Sequence, residues 1–290
     1  MVESELLMSV ARGFREELGG IAKFSRGGQV GRSTFRGTIH YESGEKKQGI
    51  FKLYSSKDGE GWVHAAAKQA LILQFLEIKG CSSGRVLDVD WHEENDGSQT
   101  VAIIREEVKG KSLREIGDPM ALTEVRKRVG KLFRQLMVVA SDKLLVEAGM
   151  GFSGDVSSGN VILASDGFNL IEWDSQLGQT NMRDVTMGYV APEILGEEKT
   201  ISEVLADTFS LGCVITRALI GRKSFRRIVP VGKRDKFLEF KDIENLVPAE
   251  AREFLRITLS HNPEDRVVQS NLDDPVGHYR FLGRMLGADV

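Results

Sequence analysis

The sequence predicts an α+β fold in two parts: a small antiparallel sheet carrying one helix, then a larger and mainly helical part. Three observations predict it. Residues 21–54 fall into strand-like pieces, IAKF, STFRGTIHY and GIFKLY, joined by the turn-rich RGGQVGR and ESGEKKQ. Residues 62–78, WVHAAAKQALILQFLEI, form one run rich in helix-favouring Ala, Leu and Gln. After Lys109-Gly110 the apolar spacing turns helical through most of the chain.

The elements follow in order. Leu7, Val10, Phe14 and Leu18 recur at helical spacing before Gly19-Gly20, which predicts an amphipathic helical extension over residues 1–20. The three strand pieces and the 62–78 helix come next, then two further strands, RVLDVDW and TVAIIREEV. The changeover falls near residues 106–110, so the expected parts are 1–20, 21–107 and 108–290. In the second part, ALTEVRKRVGKLFRQLMVVASDKLL sets Leu122, Val125, Val129, Leu132, Phe133 and Leu136 on one side of a helix. Arg126, Lys127, Arg128, Lys131 and Arg134 lie mostly elsewhere, a solvated face rather than a nucleic-acid patch. VILA and FNLI flank SDG, the pattern of a hairpin. SEVLADTFSLGCVITRALIG and PAEAREFLRITLS are the later helices.

Composition narrows the class. The chain has 290 residues, a formal net charge of -3 and 41% hydrophobic residues, which is the balance of a folded globular protein. That charge supplies no global drive toward nucleic acid or an anionic membrane. Cys81 and Cys213 stand far apart without metal-type spacing and read as thiols in a reducing compartment. The start lacks the basic head and apolar stretch of a signal peptide, and no unbroken apolar run reaches the roughly 18–20 residues of a membrane span. The expected location is the cytoplasm. The five histidines show no ligand spacing.

The chemistry-bearing stretch is SGDVSSGNVILASDGFNLIEWD. Asp155 and Asn160 lie five residues apart, the D-x-x-x-x-N interval that puts a carboxylate beside a hydroxyl to be deprotonated and an amide oxygen beside a metal. After the hairpin, LIEWD offers Glu172, with Asp174 as the competing acid. Magnesium takes oxygen ligands in near-octahedral geometry, and glutamate supplies them with a reach about 1.5 Å longer than aspartate. Farther on stand Ala191-Pro192-Glu193, Asp207 at the head of an apolar helix, and Arg266 in HNPEDR.

Four such fragments in this order resemble the eukaryotic-type protein kinase domain, over about residues 21–270. The resemblance implies a bilobal protein-kinase-like fold, with a small antiparallel-sheet N-lobe carrying one helix and a larger helical C-lobe. It implies ATP and Mg²⁺, or Mn²⁺ in its place, as cofactors. It makes Asp155 and Lys52 (of IFKL) catalytic, and Asn160 and Glu172 metal ligands. Gly27, Gly28 and Gly31 would cover phosphates with Lys52, and the segment Glu106–Val108 would meet adenine. Ala191-Pro192-Glu193 matches the signature closing an activation segment, with Glu193 paired to Arg266 under a substrate shelf and Asp207 as a structural anchor. Thr186 resembles the threonine of Ser/Thr rather than Tyr kinases. The implied partner is a protein substrate or a regulated protein.

Departures from the family pattern bear on activity. Ser25 stands for the first glycine of the phosphate loop, and Gln69 stands where a glutamate would pair with the lysine. Ser153-Gly154 replaces the His-Arg before the catalytic aspartate, which removes a receptor for a phosphorylated loop. Ser157 occupies a lysine's place, and Arg105 that of the gatekeeper. Three readings therefore stand: a Ser/Thr protein kinase, a pseudokinase acting as a binding or regulatory module, and a small-molecule kinase of the aminoglycoside or choline type.

Overall fold

The computed structural model describes residues 21–29, 33–41, 43–55, 62–93, 97–173, 186–195, 202–230, 236–267 and 274–290. The expected helix over residues 1–20, together with Gly31 and Asp174, lies outside them. The chain divides into two compact units, Met1–Val108 and Lys109–Val290. The class is α+β, with an antiparallel sheet in the first unit and helices dominating the second.

In the first unit, strands β1 (Ile21–Gln29), β2 (Thr34–Tyr41), β3 (Lys46–Ser55), β4 (Val86–Glu93) and β5 (Gln99–Glu106) form one sheet in the order β1-β2-β3-β5-β4. Its pairs are all antiparallel. Alternation along β2 buries Phe35, Gly37 and Ile39 and turns Arg36 outward, as a pleated strand with one covered face requires. Phe35, Ile39, Phe51, Leu87 and Ile104 make a common cluster there. Helix α1 (Trp62–Ile78) packs on β3, β4 and β5 and buries Ala66, Ala67, Ala70, Ile72, Leu73 and Leu76. Its three buried alanines let the helix approach the sheet closely.

One expectation is corrected in this unit. RGGQ is not part of a loop but the end of β1. Arg26 pairs with Gly37 and Gln29 with Phe35, so three steps on β1 face two on β2. The extra residue is taken up as a β-bulge at Gly27-Gly28, where the absence of side chains permits the distortion.

The second unit is built around helix α2 (Leu122–Ser141), which buries all six of the apolar residues that share its predicted face. Lys127 and Arg134 are exposed as expected, whereas three of its basic residues are structural ties. Arg128 donates to Glu124 at 2.6 Å and to the Ser165 carbonyl at 2.7 Å, Lys131 pairs with Asp166, and Arg126 donates to the Leu286 carbonyl at 2.7 Å. The helix does not continue through SDKLL. Asp142 leaves helical geometry and its side chain accepts from the Leu145 amide at 3.0 Å, which caps the short helix α3 (Lys143–Glu147). Strands β7 (Val161–Ala164) and β8 (Gly167–Leu170) form the expected hairpin, and β6 (Lys111–Ser112) adds a third strand on the β7 edge.

Helix α4 (Glu203–Ile228) is the buried centre of the unit, with every residue from Leu205 to Gly221 enclosed. Among the described residues it is the one helix long and apolar enough to cross a membrane, against the expectation of none. In that window 94% of the residues are buried inside the protein, which is the environment of a core helix. α5 (Ala249–Thr258) packs on it, and α6 (Pro275–Leu286) packs on α2 and α5. α6 is an element that the apolar pattern alone does not announce. Its ends do carry signals: Asp274 caps it by accepting from the Gly277 amide, Pro275 opens it, and Gly287 closes it in the left-handed region. His278 on α6 is buried against the Thr208 hydroxyl at 2.8 Å, and burial holds its pKa down to about 4.

α4 runs past the expected end at Gly221 by a kink. Gly221 has φ 75° and ψ 167°, a conformation nearly restricted to glycine. A Cβ there would lie 2.9 Å from the Pro119 ring. Gly221→Ala is therefore expected to destabilise the protein by about 2–4 kcal/mol from backbone strain and overpacking. Chemical denaturation reads the loss; a variant within about 0.5 kcal/mol of the parent would mean the kink relaxes without cost.

Candidate active site

The loop between Phe152 and Asn160 is held from beneath by one carboxylate. Asp207, in the first turns of α4 and 1% exposed, accepts from the Ser153 amide at 2.7 Å and from the Gly154 amide at 2.9 Å. Hydrogen bonds to a charged acceptor contribute about 1.5–3 kcal/mol each, more than an ordinary amide pair. Gly154 sits at φ 80°, so the loop turns sharply there and a glycine suits the turn. The role of Asp207 is thus to orient backbone, and position 154 needs no long side chain to hold the loop.

Asp155 follows directly. Its Oδ2 accepts from the Asn160 amide nitrogen at 2.7 Å and from the Thr186 hydroxyl at 3.1 Å. Its Oδ1 accepts from the Thr186 backbone amide at 3.3 Å. Burial, and after it the nearby Glu172 carboxylate, raise its pKa to about 7, against the lowering effect of the Thr186 and Asn160 hydrogen bonds. Asn160 also donates to the Asp155 carbonyl at 3.0 Å. Both of these bonds use its amide nitrogen, which leaves its amide oxygen as the acceptor in reserve.

Glu172 comes off the end of β8 and lies near enough to Asp155 for its charge to be felt. Trp173, fully buried, anchors that segment by donating from Nε1 to the Leu170 carbonyl at 3.3 Å. Leu170 is fixed in turn by donating its backbone amide to Oε1 of the buried Gln135 of α2 at 2.9 Å. The structure therefore gathers Asp155, Asn160, Glu172 and Thr186 into one cluster and sets Asp207 under it. Asn160, Glu172 and Asp155 are hard oxygen donors of the kind magnesium takes. Among the described residues no group of three or more His, Cys, Asp or Glu side chains forms a metal cluster, so a cation here would need the amide oxygen.

Glu193 and Arg266 form a second constellation. Arg266 is fully buried and donates from both terminal nitrogens to the two Glu193 oxygens, at 2.6 and 2.7 Å. It also donates to the carbonyls of Ser260 and Leu205 and lies over the Phe209 ring at 5.2 Å. Four of its five N–H donors thereby have acceptors, which offsets the cost of burying the charge. The short 3-10 turn Pro192–Leu195 is tied through this pair to α4 and to the loop after α5.

The remaining site residues belong to the first unit. Lys52 lies mid-strand on β3, paired to Thr34 and Ile103, with its ammonium 5.8 Å from the Tyr54 ring centre. Gln69 is buried in α1 and brings no charge. Gly27 and Gly28 form the β1 bulge, Glu106 ends β5, and Val108 ends the unit. Arg105, which precedes Glu106 on β5, is 5% exposed. Two contributors escape sequence reading. The Thr186 contact with Asp155 and the Tyr189 carbonyl accepting from Ser210 at 2.8 Å join segments far apart in the chain, and no local spacing encodes them.

The chain is similar to the serine/threonine-protein kinase PLK4 of Nematostella vectensis, with 27% identity over 173 residues. The alignment covers 56% of this chain and 16% of that protein, so the chain spans about a sixth of that relative's length. No family model matches the chain. The likeness is that of a kinase-like domain.

Two outcomes are expected. Glu193→Ala leaves a buried, uncompensated guanidinium and should cost about 3–5 kcal/mol in chemical denaturation, with Glu193→Met/Arg266→Met recovering much of it. A single variant no worse than the double would mean that the pair is not a coupled unit. The second concerns Asp155 in metal-free buffer. Its folded pKa exceeds the unfolded value, so ionising it opposes folding as pH rises toward and through 7. Asp155→Asn should therefore raise Tm at pH 8 by an amount on the order of 3–6 °C, and the gain should shrink as pH falls toward 4. A pH-independent difference would count against the buried charge.

Proposed function

We propose that the chain is a kinase-like phosphotransferase that moves the γ-phosphate of ATP to a serine or threonine hydroxyl of a protein. The observation that carries this reading is the fixed Asp155 carboxylate, held by Thr186 and Asn160 on a loop that Asp207 clamps. In phosphoryl transfer the protein contributes positioning and electrostatics, and both need such rigidity.

The residues present fit the cofactors. The bulge at Gly27-Gly28 interrupts the β1–β2 ladder and frees backbone for an anion, while the absence of Cβ atoms admits a close approach. The Asn160 amide oxygen and the Glu172 carboxylate would hold the magnesium, whose contribution when bound is to neutralise phosphate charge. Lys52 would offset phosphate charge from the first unit. Asp155 would accept the proton of the acceptor hydroxyl as its oxygen bonds to the γ-phosphorus and the bond from that phosphorus to the bridging oxygen breaks, releasing ADP. Thr186, hydrogen-bonded to Oδ2, keeps that carboxylate turned toward the shelf. Glu193 and Arg266 brace the segment that would carry a protein substrate, which weighs against a small-molecule kinase.

A second reading, a pseudokinase that serves as a binding module, is favoured by Gln69: a buried neutral amide holds a lysine less firmly than a carboxylate. Transfer of labelled phosphate from ATP to a mixed protein substrate, with Mg²⁺, separates the two. Asp155→Asn should lower the rate by about 10²-fold or more while leaving nucleotide affinity nearly unchanged. Glu172→Asp should keep or raise the rate, because a shorter carboxylate can still reach the cation. No transfer by the parent chain, or full transfer by Asp155→Asn, would overturn the enzyme reading.

A further inference from the structure

The sequence between Arg217 and Lys236 holds eight basic residues and one acidic residue, in a chain whose net charge is -3. The structure shows where the first five of them lie. Arg217 is buried in α4 and donates to the carbonyls of Leu113 and Ile116 at 2.9 and 2.5 Å. Beyond the Gly221 kink, Lys223, Arg226 and Arg227 are exposed and Arg222 is half-buried. Arg222 and Arg226 form one like-charge pair at i,i+4, and Lys223 and Arg227 form another. Each such pair destabilises a helix by about 0.2–0.5 kcal/mol. None of these four makes an ion pair among the described residues, whereas Arg128, Lys131, Lys241, Arg256 and Arg266 elsewhere in the unit each do. Asp118 follows Gly117, whose carbonyl receives the Arg222 amide, and it too forms no ion pair among the described residues.

This charge adjoins the candidate site through a short chain of contacts. Thr186, which binds Asp155, accepts on its carbonyl from the Tyr189 amide at 3.1 Å. The Tyr189 ring stacks on Phe225 of α4 with centroids 5.3 Å apart. Phe225 lies between Arg222 and Arg226 in sequence. On the other side Arg114, exposed, reaches over the Asp155–Asn160 loop, with a guanidinium nitrogen 4.0 Å from where a Cβ on Gly159 would sit. Burial pushes the Tyr189 hydroxyl up to about 12, against the opposing pull of Arg217 and Arg114. Burial also lowers the Arg217 guanidinium, and the positive charges of Arg222 and Arg226 act in the same direction.

We propose that Arg114, whose charge reaches Tyr189, together with Arg222 and Arg226, which flank the Phe225 that Tyr189 stacks on, form a subsite for an acidic peptide segment flanking the phosphoacceptor residue of a protein substrate. This rests on the kinase reading above and adds the substrate class. Exposed guanidinium forks match carboxylates bidentately. Their mutual repulsion, a cost in the free protein, falls when an anion comes between them. Charges of this kind set selectivity and association rate more than total affinity.

The test is binding of a fluorescein-labelled peptide with a central serine flanked by three aspartates on each side, read by anisotropy without nucleotide. The control peptide carries asparagine in place of each aspartate. The acidic peptide should bind at least tenfold more tightly, and the difference should fade between about 0.05 and about 0.5 M salt as screening shortens the interaction. Arg222→Glu/Arg226→Glu should weaken it at least tenfold, and the milder Arg226→Ala about threefold. Lys143→Glu, on exposed α3, should leave it unchanged. Equal binding of the two peptides overturns the proposal, as does an equal loss from Lys143→Glu. Tighter binding of a single-stranded oligonucleotide of the same charge would assign the surface to nucleic acid and overturn it as well. Because no phosphate transfer is read, a chain inactive as a kinase can still show this preference. A chain that transfers phosphate without it loses the subsite alone.

Discussion

The second unit depends on the Asp207 carboxylate more than on any other group. One side chain, embedded in the most buried helix, accepts two successive backbone amides of a loop with no regular structure of its own. A loop normally exchanges such bonds with water and so samples many conformations. Here the acceptor is charged, dehydrated and rigidly mounted, so the loop inherits the order of the helix. Everything that gives Asp155 its environment follows: the Asn160 amide, the Thr186 hydroxyl and the near approach of Glu172 are all geometries that a mobile loop could not maintain.

The buried polar groups of the unit share a logic. Asp207, Arg217, Gln135 and Arg266 are each enclosed, and each binds at least one backbone group that lies outside regular pairing. An enclosed polar group without a partner costs about 1–3 kcal/mol, more if charged. These residues reduce that cost on both sides at once, for the side chain and for the irregular backbone it meets. The irregular segments then pack as firmly as helices. That is the condition for building a site of fixed geometry from loops.

Much of this was legible in the sequence, for physical reasons that differ by element. The α2 face could be read because apolar residues at helical spacing have one way to be buried together. The hairpin could be read because SDG between two apolar runs favours a turn. The break at Asp142 could not, since it turns on whether a side chain or the next helical turn wins the Leu145 amide, a contest of a kcal/mol or so. The β1 bulge is hidden because period-two alternation says nothing of an extra residue until the partner strand is known. In the candidate site the intervals revealed residue types and order, such as Asp155 before Asn160 and Glu193 well before Arg266. They did not reveal that Thr186 caps Asp155, or that Tyr189 lies on Phe225, because those contacts join segments that only the fold brings together.

The Gly221 kink separates α4 into two regimes of selection. Before it, every residue from Leu205 on is enclosed, and a change in volume or charge is felt by the whole unit. After it, Phe225 stays buried on Tyr189, but Lys223, Arg226 and Arg227 face solvent and can be exchanged at little cost to folding. A single glycine thus separates the basic surface proposed to bind peptide from the core beneath it. Duplicated copies of such a chain could diversify their surface charge by drifting at Lys223, Arg226 and Arg227, with the buried rod, and the loop that it fixes, passed on unaltered.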